Sequence, residues 1–164
     1  MPAAPVYPSE CARAASTAES RFRIKTPIAP ARAARIVALD ERAAGVMRRL
    51  AASPWANAEF YTGGGTSPDG GLLLHGLDGS PVPLGDVLTG SDVVVVLATE
   101  DGGRNAAAAI GRACGARAVT TAGVVLGDGF EADDAVAALR PYARVLLLSA
   151  DESDVSELLT ALRV

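Results

Sequence analysis

Lysine, histidine, cysteine and aromatic residues are scarce in this chain of 164 residues. Lys25 is the only lysine, and aromatic residues make up 4% of the sequence. A phosphate-binding P-loop, a Schiff-base enzyme and a receiver-type phosphoacceptor pocket each need a lysine in the folded domain. Because residues 26–164 contain no lysine, the sequence excludes these three classes.

Metal and nucleophile chemistry are limited in the same way. The only histidine is His75, and the two cysteines, Cys11 and Cys114, lie far apart in the sequence. These residues do not form the closely spaced ligand pairs of a zinc site, and no nucleophile motif accompanies His75. Two isolated cysteines are typical of a reducing compartment, so we expect a cytoplasmic protein.

Long apolar runs and a basic surface are also lacking. The longest apolar run, Val93–Ala98, is far shorter than a membrane span. Residues 1–35 carry six basic and two acidic residues, net +4, whereas residues 36–164 carry nine basic and seventeen acidic residues, net −8. An acidic body argues against nucleic-acid binding, so we expect neither a nucleic acid nor a membrane as partner.

The chain divides by composition near residue 33. Residues 1–33 hold five of the ten prolines and show no sustained hydrophobic periodicity, which predicts a flexible N-terminal tail. Residues 34–164 show alternating strand and helix patterns and are predicted to form a single α/β domain.

The order of these patterns predicts the fold class. The predicted strands are Arg35–Leu39, Ala58–Thr62, Leu72–His75, Val82–Leu84, Asp92–Thr99, Arg117–Leu126 and Arg144–Leu148. Helices are predicted from the Asp40 cap to Ala52, over Asn105–Cys114 closed by Gly115, over Glu131–Arg140, and after a Ser149/Glu152 capping box. This alternation predicts an open, doubly wound, mostly parallel sheet in a three-layer, Rossmann-like arrangement, with a small β-hairpin insertion turned at Asp78-Gly79.

Ligands of such sheets bind outside the carboxyl ends of the strands, where the strand order reverses. Glycines there let backbone N–H groups approach a phosphate, and a helix start near Asn105 favours negative charge. Loop carboxylates suit Mg²⁺, although they also serve as ordinary helix caps. The predicted ligand-binding residues are Asp40, Gly63, Gly64, Gly65, Thr66, Thr99, Asp101, Gly102, Gly103, Arg104 and Asn105.

The order of elements over residues 35–155 resembles the tubulin/FtsZ GTPase domain. The stretch DVVVVLATEDGGRNAAAAIGRACGARAVTTAGVVLGDGFE is similar to the central strand, glycine-rich loop, helix and following strand of that family. Of the family's GGGTGTG signature this chain keeps Gly102 and Gly103, and after its first strand it has Asp40 to Ala44 in place of a glycine run. The resemblance implies GTP, GDP or another nucleotide as ligand, with Mg²⁺, but neither hydrolysis nor filament formation.

Three functions are therefore open. The first is a non-catalytic module that binds a nucleotide or another phosphate-bearing metabolite at the carboxyl edge of the sheet. The second is a protein-interaction module without a ligand, which binds a partner or forms a homo-oligomer through complementary charge. The third is an Mg²⁺-dependent enzyme that uses Asp40, Glu100 or Asp101 as acid/base groups or metal ligands.

Overall fold

A computed structural model describes residue 22 and residues 28–127 and 132–164. The chain divides into two compact units, Met1–Pro30 and Ala31–Val164. Every helix and strand of the described residues lies in the second unit. Most of the predicted tail, Cys11, and the first residue of the helix predicted at Glu131 lie outside the described residues.

Strands and helices alternate along the second unit as the hydrophobic pattern predicts. In chain order the elements are β1 (Ala34–Ala38), α1 (Glu41–Ala51), β2 (Ala58–Thr66), β3 (Leu72–Gly76), β4 (Pro81–Pro83), α2 (Leu84–Leu88), β5 (Val93–Ala98), α3 (Arg104–Ala116), β6 (Thr120–Leu126), α4 (Asp133–Leu139), β7 (Ala143–Ala150) and α5 (Glu152–Ala161).

The strands form one seven-stranded sheet in the order β4-β3-β2-β1-β5-β6-β7. Strands β2, β1, β5, β6 and β7 pair in parallel, and β3 pairs antiparallel with both β2 and β4. Helices cover both faces, which confirms the predicted α/β, mostly parallel, three-layer class with a hairpin insertion. The chain leaves β1 on one side and returns to its other side at β5, so the strand order reverses between these two strands.

Strand β5 is the centre of the core, and all six of its residues are buried. Val95 and Leu97 face one layer, with Met47 of α1 and Leu159 of α5, whereas Val96 faces the opposite layer. Burying an aliphatic side chain of this size stabilises a fold by about 1.5–3 kcal/mol. The uninterrupted apolar pattern of β5 therefore reflects burial on both faces.

Several predicted boundaries are wrong for local reasons. The stretch Gly63–Thr66, predicted as a loop, continues β2 and pairs with β3. Gly115 lies inside α3, which ends at Ala116 rather than at a glycine cap. The capping box of α5 is formed by Asp151 and Asp154 rather than by Ser149 and Glu152, because β7 runs two residues further than predicted.

Helix α2 was not predicted, since five residues are too few to show a helical repeat. It follows β4 directly, and two of its residues, Val87 and Leu88, are buried in the layer that also contains Ile110 of α3. The described part of the chain has no helix with the length and apolar character needed to cross a membrane.

Candidate functional site

The loops after β1 and β5 meet where the strand order reverses, and one carboxylate joins them. Asp40 precedes α1 and accepts a hydrogen bond from the Ala43 N–H at 2.9 Å. The same carboxylate accepts hydrogen bonds from the Thr99 N–H at 2.7 Å, from Thr99 Oγ1 at 2.6 Å and from the Glu100 N–H at 3.3 Å. The predicted site residues Asp40 and Thr99 are therefore in contact, and they bind each other.

The ionised form of Asp40 is favoured by this arrangement. Burial raises the pKa of its carboxyl group, but hydrogen bonds from Thr99, Ala43 and Glu100 outweigh burial, and the net pKa lies below the ordinary value of 3.8. A negative charge therefore occupies the start of α1, the position at which phosphate-binding helices present free N–H groups to a phosphate.

Gly103 lies in the loop after β5, and close packing favours glycine at this position. A Cβ atom at this position would lie 2.8 Å from Cδ1 of Leu39, which follows β1. The adjacent Gly102 has φ +124° and no atom within 4 Å of a Cβ placed there. Glycine is therefore favoured at position 102 by the backbone conformation and not by lack of space. The Leu39 side chain therefore lies against Gly103.

Asp101 and Arg104 are bound to the start of α4. Asp101 Oδ1 accepts a hydrogen bond from the Asp134 N–H at 2.9 Å, and Arg104 Nη1 donates to Asp134 Oδ1 at 3.1 Å. The side chain of Arg104 is 63% exposed and that of Asp134 is 52% exposed. Two of the predicted ligand residues thus hold α3 and α4 together at the carboxyl edge of the sheet.

A groove lies beside this edge, between α3 and the β2–β3 hairpin. Its volume is about 220 Å³. It is lined by Thr66, Gly70, Gly71, Leu72, Asn105, Ala106, Ala109 and Arg112. Of the predicted residues, it brings together Thr66 and Asn105; Asp40, Thr99, Asp101, Arg104 and the five predicted glycines do not line it.

Arg112 is the charged side chain in the groove lining. It is exposed, and within the described ranges it has neither a hydrogen-bond nor an ion-pair partner. The sequence analysis did not predict Arg112 because it lies within a helix and not in a loop, although the spacing of Asn105, Ala109 and Arg112 places them on one helical face. The groove therefore combines a free guanidinium group with a hydroxyl and a carboxamide.

The glycines at the end of β2 shape the other wall of the groove. Gly64 and Gly65 have φ values of +134° and +135°, which glycine adopts without strain. The pairing register of β2 and β3 shifts between Gly63 and Thr66. The shift carries Thr66 to a position opposite Leu72, where both residues line the groove.

Comparisons with protein-family models, with curated proteins and with solved structures found no match for this chain. Residues 28–127 and 132–164 contain no cluster of three or more histidine, cysteine, aspartate or glutamate side chains that could hold a metal ion. The groove between α3 and the β2–β3 hairpin is a candidate ligand site within the described residues.

Proposed function

We propose that the unit Ala31–Val164 is a non-catalytic module that binds a small phosphate-bearing metabolite at the carboxyl edge of its sheet. The observation that carries this proposal is Arg112, an arginine without a partner among the described residues, in a groove that also presents Thr66 and Asn105. The tubulin/FtsZ resemblance supports the same class of ligand, with GTP and GDP among the candidates.

The chemistry of the lining suits a phosphate group. A guanidinium group donates two parallel hydrogen bonds to phosphate oxygens, and such charge-assisted bonds are stronger than neutral ones. The Thr66 hydroxyl and the Asn105 amide supply uncharged donors beside it. Asn105 is the second residue of α3, where the helix dipole favours negative charge.

The size of the groove restricts the ligand. Pockets that enclose a drug-sized molecule usually measure roughly 300–1,000 Å³, whereas this groove has about 220 Å³. A sugar phosphate or similar small metabolite fits these dimensions. A nucleotide is accommodated only if its phosphates enter the groove and its base remains outside.

Two arginines of α3 give a matched test of where the ligand binds. Binding of orthophosphate, a sugar phosphate, GDP and GTP is measured by calorimetry on the full chain and on the variants Arg112→Ala and Arg104→Ala. A lost charge-assisted contact costs about 1.5–3 kcal/mol, so we expect Arg112→Ala to weaken binding roughly 10- to 100-fold. Arg104→Ala is expected to leave the affinity within about two-fold, because Arg104 is bound to Asp134.

The reverse pattern, in which only Arg104→Ala weakens binding, would move the ligand to the loop after β5 and contradict the groove assignment. No binding of any of the four compounds by the intact chain would overturn the phosphate-binding proposal itself. Mg²⁺ is included and omitted in parallel, and the groove assignment predicts the same affinity for orthophosphate and for the sugar phosphate in both conditions.

A further inference from the structure

The two edges of the sheet differ in their capacity to pair with another strand. Strand β4 has three residues, of which Pro81 and Pro83 lack the N–H group that a strand ladder needs. Strand β7 has eight residues and no proline, and no described strand pairs with its outer side. An unpaired strand of this length presents a row of backbone donors and acceptors to solvent.

Strand β7 also carries one large exposed apolar side chain. Val145, Leu146 and Leu147 are half-buried and pack against the core on the two faces of the sheet, whereas Leu148 is 52% exposed. Within the described residues of the unit Ala31–Val164, the other large apolar side chain with comparable exposure is Leu77, at 56%, in the turn after β3. Leu148 differs from it in lying on an open strand edge.

Charges of opposite sign lie at the two ends of the same edge. Arg144, near the amino end, is exposed and has no hydrogen-bond or ion-pair partner within the described ranges. Asp151 and Asp154, just after the carboxyl end, are both exposed. An antiparallel arrangement of two β7 strands places the basic end of each beside the acidic end of the other, whereas a parallel arrangement places like charges together.

We propose that two copies of this chain associate through antiparallel pairing of β7 with β7 about a two-fold axis. Register shifts interrupt the pairing of β7 with β6 near both ends and leave Val145–Leu147 as its regular part, so the contact is short and the dimer dissociates readily on dilution. Because prolines obstruct the β4 edge, each copy offers one such edge, and the assembly closes at two copies.

The experiment measures the molar mass of the full chain by light scattering and sedimentation over a roughly hundred-fold concentration range. We expect the mass to rise with concentration from 16.6 kDa towards twice that value. A mass of one chain throughout would overturn the proposal, and so would growth beyond two chains.

Two pairs of variants test the surface. Leu148→Lys is expected to weaken association at least about ten-fold, whereas Leu77→Lys, which introduces the same charge at a similarly exposed leucine, leaves it unchanged. Arg144→Glu is expected to weaken association and Arg144→Lys to retain it. Equal effects of the two leucine variants, or normal association of Arg144→Glu, contradict pairing through β7. Thermal melts confirm that each variant is folded.

Discussion

Thr99 Oγ1 donates a 2.6 Å hydrogen bond to the carboxylate of Asp40, joining residues 59 positions apart across the point where the strand order reverses. Together with the bonds from the Thr99 and Glu100 N–H groups, it attaches the loop after β5 to the first turn of α1. A side chain of the protein thus occupies a position that dinucleotide-binding doubly wound folds use for ligand phosphates.

We expect Asp40→Ala to destabilise the fold by about 2–4 kcal/mol. Loss of the α1 cap contributes about 1 kcal/mol, and the partly buried Thr99 N–H and hydroxyl lose their acceptor. Urea unfolding monitored by circular dichroism measures the change. Asp151→Ala, which removes an exposed cap, is the control, with a smaller expected loss. Equal losses in the two variants would show that the bonds across the sheet contribute nothing.

The Asp40 interaction also predicts a pH dependence. The carboxyl pKa is lowered in the folded state, so its contribution to stability is present above the ordinary pKa of 3.8 and is lost as the pH falls through the folded value. The difference in unfolding free energy between the native chain and Asp40→Asn is therefore expected to be constant from pH 7 to about pH 5. It then decreases at lower pH. A difference that stays constant down to the most acidic conditions tolerated by the fold would contradict the assignment.

Gly103→Ala is expected to cost about 1–3 kcal/mol, because the added methyl group would contact the Leu39 side chain at 2.8 Å. Chemical unfolding of Gly103→Ala, Leu39→Ala and the double variant measures their coupling. If the contact with Leu39 causes the loss of stability, Leu39→Ala restores part of that stability in the double variant. Gly45→Ala in α1 is the control: its Cβ has space, and alanine favours the helix by about 0.5–1 kcal/mol.

Two glycines of α3 provide an internally matched comparison. A methyl group at Gly111 would overlap the ring of Tyr142, whereas at Gly115 it would lie at an ordinary contact distance of 3.5 Å from the same ring. We expect Gly111→Ala to lower the melting temperature by several degrees and Gly115→Ala to leave it unchanged or raise it. Differential scanning calorimetry measures both melting temperatures. Equal shifts in the two variants would contradict the position of the Tyr142 ring against Gly111.

The fold was predictable because its elements have strong and consistent patterns. The apolar run of β5 and the Asp40 cap of α1 can each be recognised from residues that are adjacent in the sequence, and both are confirmed. The extension of β2 through Gly63–Thr66 was not predictable, since glycine disfavours strands and only pairing with β3 holds it there.

The candidate site was harder to predict than the fold. Sequence analysis correctly gathered Asp40 and Thr99 at one edge of the sheet but could not show that they bind each other. Arg112 is distinguished by the absence of a partner across the described residues, and pairing between distant side chains cannot be read from the sequence. Asp134, which holds Asp101 and Arg104, was missed for the same reason.

The position of β1 between β2 and β5 has a consequence for synthesis on the ribosome. Of the described strands β1 emerges first, and its hydrogen-bonding partners on one side are available as soon as Ala58–Thr66 follows. The hydrogen-bonding partners on its other side belong to Val93–Ala98. A nascent chain that ends before residue 93 therefore carries an apolar strand whose backbone groups are unpaired along one edge. Such an intermediate pairs readily with other chains. A pause that delays the emergence of Val93–Ala98 therefore exposes this protein to aggregation more than a pause after that strand has emerged.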